Sequence, residues 1–63
     1  MAAYRLYFMD RFSGHIEHCR EFLADHDAHA ITIALKWSTG QPMELWSGSR
    51  KLKRWEAEAV APD

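Results

Sequence analysis

Apolar and polar positions along this chain of 63 residues follow two different periods. Tyr4 to Met9 is a run of aromatic and large apolar side chains broken only by Arg5, and it ends at Asp10-Arg11-Phe12-Ser13-Gly14, where Asp, Ser and Gly supply turn chemistry. The pattern predicts a strand and a hairpin loop. His15 to Phe22 then mixes β-branched and aromatic residues with charges, at a length suited to the returning arm. From Asp25 the period lengthens, and a helix is expected from about His26 to Ser38. Its cap would be Asp25, whose carboxylate can accept a first-turn amide proton, with Asp27 favoured by the helix dipole. Thr39-Gly40-Gln41-Pro42 stops the helix, because Gly40 suits a left-handed residue and Pro42 cannot continue one. Met43 to Ser47 is a second apolar strand, Gly48-Ser49 a two-residue turn of the II′ kind, and Arg50 to Trp55 the return.

The expected fold is therefore α+β, ββαββ, with one helix packed on a four-stranded antiparallel sheet in the order 2-1-3-4. Charge supports that order. The expected edge strands hold Glu17, Arg20 and Glu21, or Arg50, Lys51, Lys53 and Arg54, and charged edges discourage uncontrolled strand addition. Residues 1–56 form one domain in this reading, and the alanine-rich stretch 57–63 a flexible tail.

Strict alternation assigns the faces. Tyr4, Leu6, Phe8, Ile16, Phe22, Met43, Leu45 and Leu52 are expected under the helix. His18, Arg20 and Arg54 share their parity, which places them at the periphery or calls for a bulge in the second strand. On the helix, Ala30, Ile31, Ala34 and Leu35 form the inner arc. Ile33 and Trp37 lie on a flank that either meets a partner or closes the core edge, since the large apolar residues span about 200° where a one-sided helix needs about 100°. The other sheet face would carry Arg5, Tyr7, Met9, Cys19, Glu44, Trp46, Lys51, Lys53 and Trp55. Two tryptophans and a tyrosine on an open sheet face form a large patch for a monomer, and aromatic and arginine anchors dominate interface energetics.

Composition sharpens that expectation. Hydrophobic residues make up 48%, but nine of them are alanine, so 21 side chains are large enough to build a core. So short a chain buries only about 60% of its unfolded surface and usually needs a disulfide, a metal or association. The one cysteine, Cys19, excludes an intrachain disulfide and suits a reducing cytoplasm. The formal net charge of −1 advertises neither nucleic acid nor disorder. The chain start predicts no secretory signal, and no run reaches the ~20 apolar residues of a membrane span.

Catalysis has no basis here. His18 and Cys19 are strand neighbours projecting to opposite faces, and Asp25 and Asp27 read as caps, so neither pair makes a nucleophile–base or acid–base couple. Four histidines raise the question of metal. His26 and His29 have helical i, i+3 spacing, but a zinc site needs three or four ligands, and His15 and His18 face opposite ways; no metal or other cofactor is expected. A basic fourth strand with exposed aromatics resembles in outline a sheet that stacks single-stranded bases, but Glu17, Glu21 and Glu44 oppose it.

Gly14-His15-Ile16, Glu21-Phe22, Ala24-Asp25-His26-Asp27, Ala30-Ile31 and Met43-Glu44-Leu45-Trp46-Ser47-Gly48-Ser49-Arg50 together resemble a group of short bacterial proteins classed as a domain of unknown function. The resemblance spans Tyr4 to Trp55, implies the same small fold and brings no activity. The expected function is a cytoplasmic protein-interaction or adaptor domain, not an enzyme. It would form a homodimer through Arg5, Tyr7, Trp46, Lys53 and Trp55. The alternatives are a nucleic-acid-binding regulator and a metal-binding accessory protein.

Overall fold

The computed structural model describes residues 1–57 and follows the expected plan. Strands β1 (Ala2–Met9) and β2 (Ile16–Ala24) precede helix α1 (Asp27–Lys36), and strands β3 (Met43–Ser47) and β4 (Arg50–Trp55) follow it. The sheet order is β2-β1-β3-β4, with every neighbouring pair antiparallel. The first hairpin is longer than expected, because Ala2 and Ala3 pair with Ala24 and Leu23. Of the expected tail 57–63, positions from 58 onward lie outside the described residues.

Local chemistry explains the connections. The Asp10 carboxylate accepts from the backbone N–H of Phe12 at 2.8 Å and of Ser13 at 2.7 Å, closing the first turn, and Ser13 and Phe12 hold its pKa below the ordinary value. Helix α1 is capped by His26 rather than Asp25. The His26 Nδ1 accepts from His29 N–H at 3.2 Å, while His29 Nδ1 accepts from Asp25 N–H at 3.2 Å. The pair resembles a capping box, except that the His29 imidazole reaches the N–H of Asp25, one residue before the cap. Asp27 instead ties the first turn to the sheet: its carboxylate accepts from Tyr4 Oη at 2.9 Å and from Arg50 Nη2 at 3.2 Å.

Gly48 has φ of 60°, and since among the described residues no non-glycine residue has positive φ, the Gly48-Ser49 turn is of the II′ kind that the sequence predicted. A β-branched side chain in that left-handed region is strained by about 1–2 kcal/mol. Gly48→Val should therefore lower the urea midpoint, whereas Ser49→Val should not lower it comparably.

The core lies between sheet and helix. Tyr4, Leu6, Phe8, Ala24, Ala30, Ala34, Met43 and Leu45 are buried together, and Phe22, Ile31, Ile33, Trp37, Leu52 and Trp55 pack against them. Ala30 and Ala34 are the residues of the helix that are fully buried against the sheet. Trp37 meets Phe22 edge-on at 5.1 Å, so Trp37 and Ile33 close the core edge. Leu35, expected inside, is 52% exposed, because the helix rests on its alanine stripe and turns Leu35 away. His18 and Arg20 do lie on the helix side, at its periphery. The His18 ring stacks on Phe8 at 4.4 Å, and the Arg20 guanidinium covers Trp37 at 4.9 Å.

Two bulges decide the faces. Between β1 and β2 the pairing passes from Phe8↔His18 to Met9↔Ile16, leaving Glu17 as the extra residue. Between β3 and β4 it passes from Leu45↔Lys53 to Trp46↔Lys51, leaving Leu52 extra. Each added residue inverts the alternation beyond it. Ile16, expected under the helix, therefore joins Met9 on the opposite face and is 59% exposed.

Candidate interaction face

The helix covers one side of the sheet, and the other side is built from rows of cross-strand neighbours. Arg5 on β1 stands between Glu21 on β2 and Trp46 on β3, with Lys51 of β4 beyond Trp46. In the next row Tyr7 stands between Cys19 and Glu44, with Arg54 beyond Glu44. Met9 and Ile16 follow at the bulged end. Met9 is only 6% exposed yet lies outside the helix-side core cluster, so the open face has an apolar floor of its own.

The face gathers three of the five expected anchors, Arg5, Tyr7 and Trp46, and not the other two. Trp55 pairs with Met43 and packs against the helix-side core, and Lys53 pairs with Leu45 and lies 5.7 Å from the Trp55 ring. The bulge at Leu52 is the physical reason: it moves Lys53 and Trp55 to the helix side and sends Arg54, whose parity suggested the core, to the open side. Trp55 thus helps extend the core at the sheet's edge.

Glu44 is the electrostatic centre of the open face. Its side chain is 17% exposed. Its carboxylate accepts from Trp46 Nε1 at 3.0 Å and from Arg54 Nη1, and Lys51 Nζ lies 3.9 Å away. Donation from Trp46, reinforced by Arg54 and Lys51, holds its pKa below the ordinary glutamate value despite partial desolvation. The Trp46 ring is thereby fixed by its own N–H, with Lys51 6.0 Å from the ring centroid. Arg5 is held by Tyr7 and Glu21, the Arg5 Nε–Glu21 Oε2 distance being 2.9 Å, and both bonds favour its charged form. Tyr7, Ile16, Glu44, Trp46 and Gly48 line an open groove of about 320 Å³.

The face therefore carries an oriented tryptophan, an apolar patch at Met9 and Ile16, and held charges of both signs. The role of Glu44 was legible only in part. Its place two residues before Trp46 on one strand puts a carboxylate beside an indole N–H, but the approach of Arg54 depends on the bulge.

Other candidates are less developed. His26 and His29 have ring centroids 6.1 Å apart and engage the helix start, and among the described residues no three histidine, cysteine, aspartate or glutamate side chains are grouped to hold a metal ion. Three cations of β4 meet carboxylates: Arg50 with Asp27, Lys51 with Glu44, and Arg54 with both Glu44 and Glu56. Cys19 is exposed and unpaired. Among the described residues no helix is long and apolar enough to cross a membrane. Compared with protein-family models, curated proteins and solved structures, the chain matches none.

Proposed function

We propose that this chain is a small protein-interaction domain whose working surface is the open face of its sheet, and that its first partner is a second copy of itself. The observation supporting this reading is the aromatic and apolar groove of Tyr7, Ile16 and Trp46 on the side the helix leaves uncovered. A sheet with one covered face gains most by burying the other, and a domain this small has little stability to spare. The exposed Cys19 on the same face favours a reducing cytoplasm, since a free surface thiol elsewhere would be oxidised.

Trp46 should be the principal anchor, because its ring is large and already oriented by Glu44, so little freedom is lost on association. Trp46→Ala should weaken self-association by about 2 kcal/mol, roughly thirtyfold in Kd. Sedimentation equilibrium across a wide concentration range checks this; a mass that does not depend on concentration or on Trp46 would defeat the reading. Nucleic-acid binding is less favoured, because Glu21 and Glu44 lie among the cations of the open face and Asp27 beside Arg50, so no continuous positive track meets a phosphate backbone.

A further inference from the structure

The order of charges across the open face specifies how a second copy would lie on it. Taken from β2 to β4, one row reads Glu21, Arg5, Trp46, Lys51 and the next Cys19, Tyr7, Glu44, Arg54. The β2 side of these rows carries the acidic Glu21 and the neutral Cys19, whereas the β4 side carries two cations. Such a surface is complementary to its own reversed image. We propose, building on the self-association reading, that two copies stack face to face about a two-fold axis running parallel to the strands, so that β2 of each lies across β4 of the other.

That operation maps each row onto itself in reverse. Glu21 faces Lys51 of the second copy, Arg5 faces Trp46 of the second copy, and Tyr7 faces Glu44 of the second copy. Every contact occurs twice, as an isologous interface requires. The first is an ion pair, the second a guanidinium over an indole, and the third a phenol donor to a carboxylate. Sheets stacked about 10 Å apart and rotated by about 30° leave these partners within reach of long side chains.

Glu44 would lose solvent in this arrangement. Its carboxylate already has donors from Trp46 and Arg54, with Lys51 close by, and Tyr7 of the second copy adds another, so the buried charge is compensated. The competing two-fold, in the plane of the sheet but across the strands, lays β4 on β4. There Lys51 meets Arg54 of the second copy, and like charges are juxtaposed twice. Pairing along the exposed edge of β2 is a third arrangement, and it would leave the aromatic groove uncovered.

Charge reversal separates these arrangements. Sedimentation equilibrium at low salt would compare the wild-type chain, Glu21→Lys, Lys51→Glu, the double variant and an equimolar mixture of the two single variants, each checked for native circular dichroism. Both reversed positions are exposed, so the fold should survive. Each single variant should weaken association about tenfold, since two exposed ion pairs become repulsive. The double variant and the mixture should recover wild-type affinity, because both restore opposite charges at both contacts. Tightening by Lys51→Glu overturns the proposal in favour of the axis across the strands. A wild-type dimer indifferent to both reversals overturns it while self-association itself stands. A wild-type chain that stays monomeric throughout overturns both.

Discussion

Phe8→Ala should leave this domain with little or no cooperative folding in dilute solution. Phe8 is 1% exposed, lies opposite Met43 on one neighbouring strand and stacks on His18 of the other. Truncating a buried phenylalanine costs about 3–5 kcal/mol through lost transfer energy and the cavity left behind. A chain of 63 residues has a net stability of about 3–9 kcal/mol in all. The loss is therefore comparable with the whole. Urea unfolding followed by circular dichroism at fixed protein concentration should show the transition abolished or its midpoint more than halved. Phe12→Ala is the internal control, because Phe12 is 92% exposed in the hairpin loop and its removal should leave the midpoint in place. Equal effects at the two positions would contradict the assignment of the core.

The second large effect is on pH dependence. Asp27→Ala should lower the melting temperature at neutral pH, with a difference from wild type that disappears in acid. Donation from Tyr4, then from Arg50 with its charge, holds the Asp27 pKa below its ordinary value. A carboxylate depressed on folding stabilises the native state above its unfolded pKa of about 3.9, and that contribution is lost as pH falls through the lower folded value. The wild-type advantage should accordingly be constant near neutrality and shrink below about pH 4. Asp10 and Glu44, also depressed on folding, keep an acid limb in the variant. The partner group gives the opposite limb. Burial and the bond to Asp27 raise the Tyr4 phenol, so its contribution is present below about pH 10 and lost as pH rises through the raised value. Tyr4→Phe should remove the alkaline limb. Melting temperatures recorded across the pH range check both, and parallel profiles for wild type and Asp27→Ala would exclude the linkage.

Much of this behaviour could be read from local pattern. The switch from strand to helical periodicity near Asp25, the stop at Gly40 and Pro42, and the Gly48-Ser49 turn all rest on interactions within a few residues. The helix cap lies one position beyond Asp25, because Asp25, His26, Asp27 and His29 are all able to accept a first-turn proton and local pattern does not rank them. The Tyr4–Asp27–Arg50 link had no sequence signal, since its members are 23 residues apart in each case. On the open face, Arg5, Tyr7 and Trp46 keep the strict alternation of their strands, whereas Lys53 and Trp55 lie beyond the bulge at Leu52 and depart from it.

The sequence by itself determined the element order, the central place of the two apolar strands and the surplus of aromatic residues beyond what one helix can cover. Periodicity, turn chemistry and composition suffice for these because each acts locally or in bulk. The tertiary structure alone decided that Trp55 is covered while Tyr7 and Trp46 are not. A strand's facing depends on the parity of its register, and register follows from how two strands meet along their whole length. At Glu17 and Leu52 one additional residue is accommodated without any local marker, and everything beyond it changes sides. That shift places Trp55 against the core, brings Arg54 to Glu44 and leaves Trp46, Tyr7 and Ile16 together on the open face.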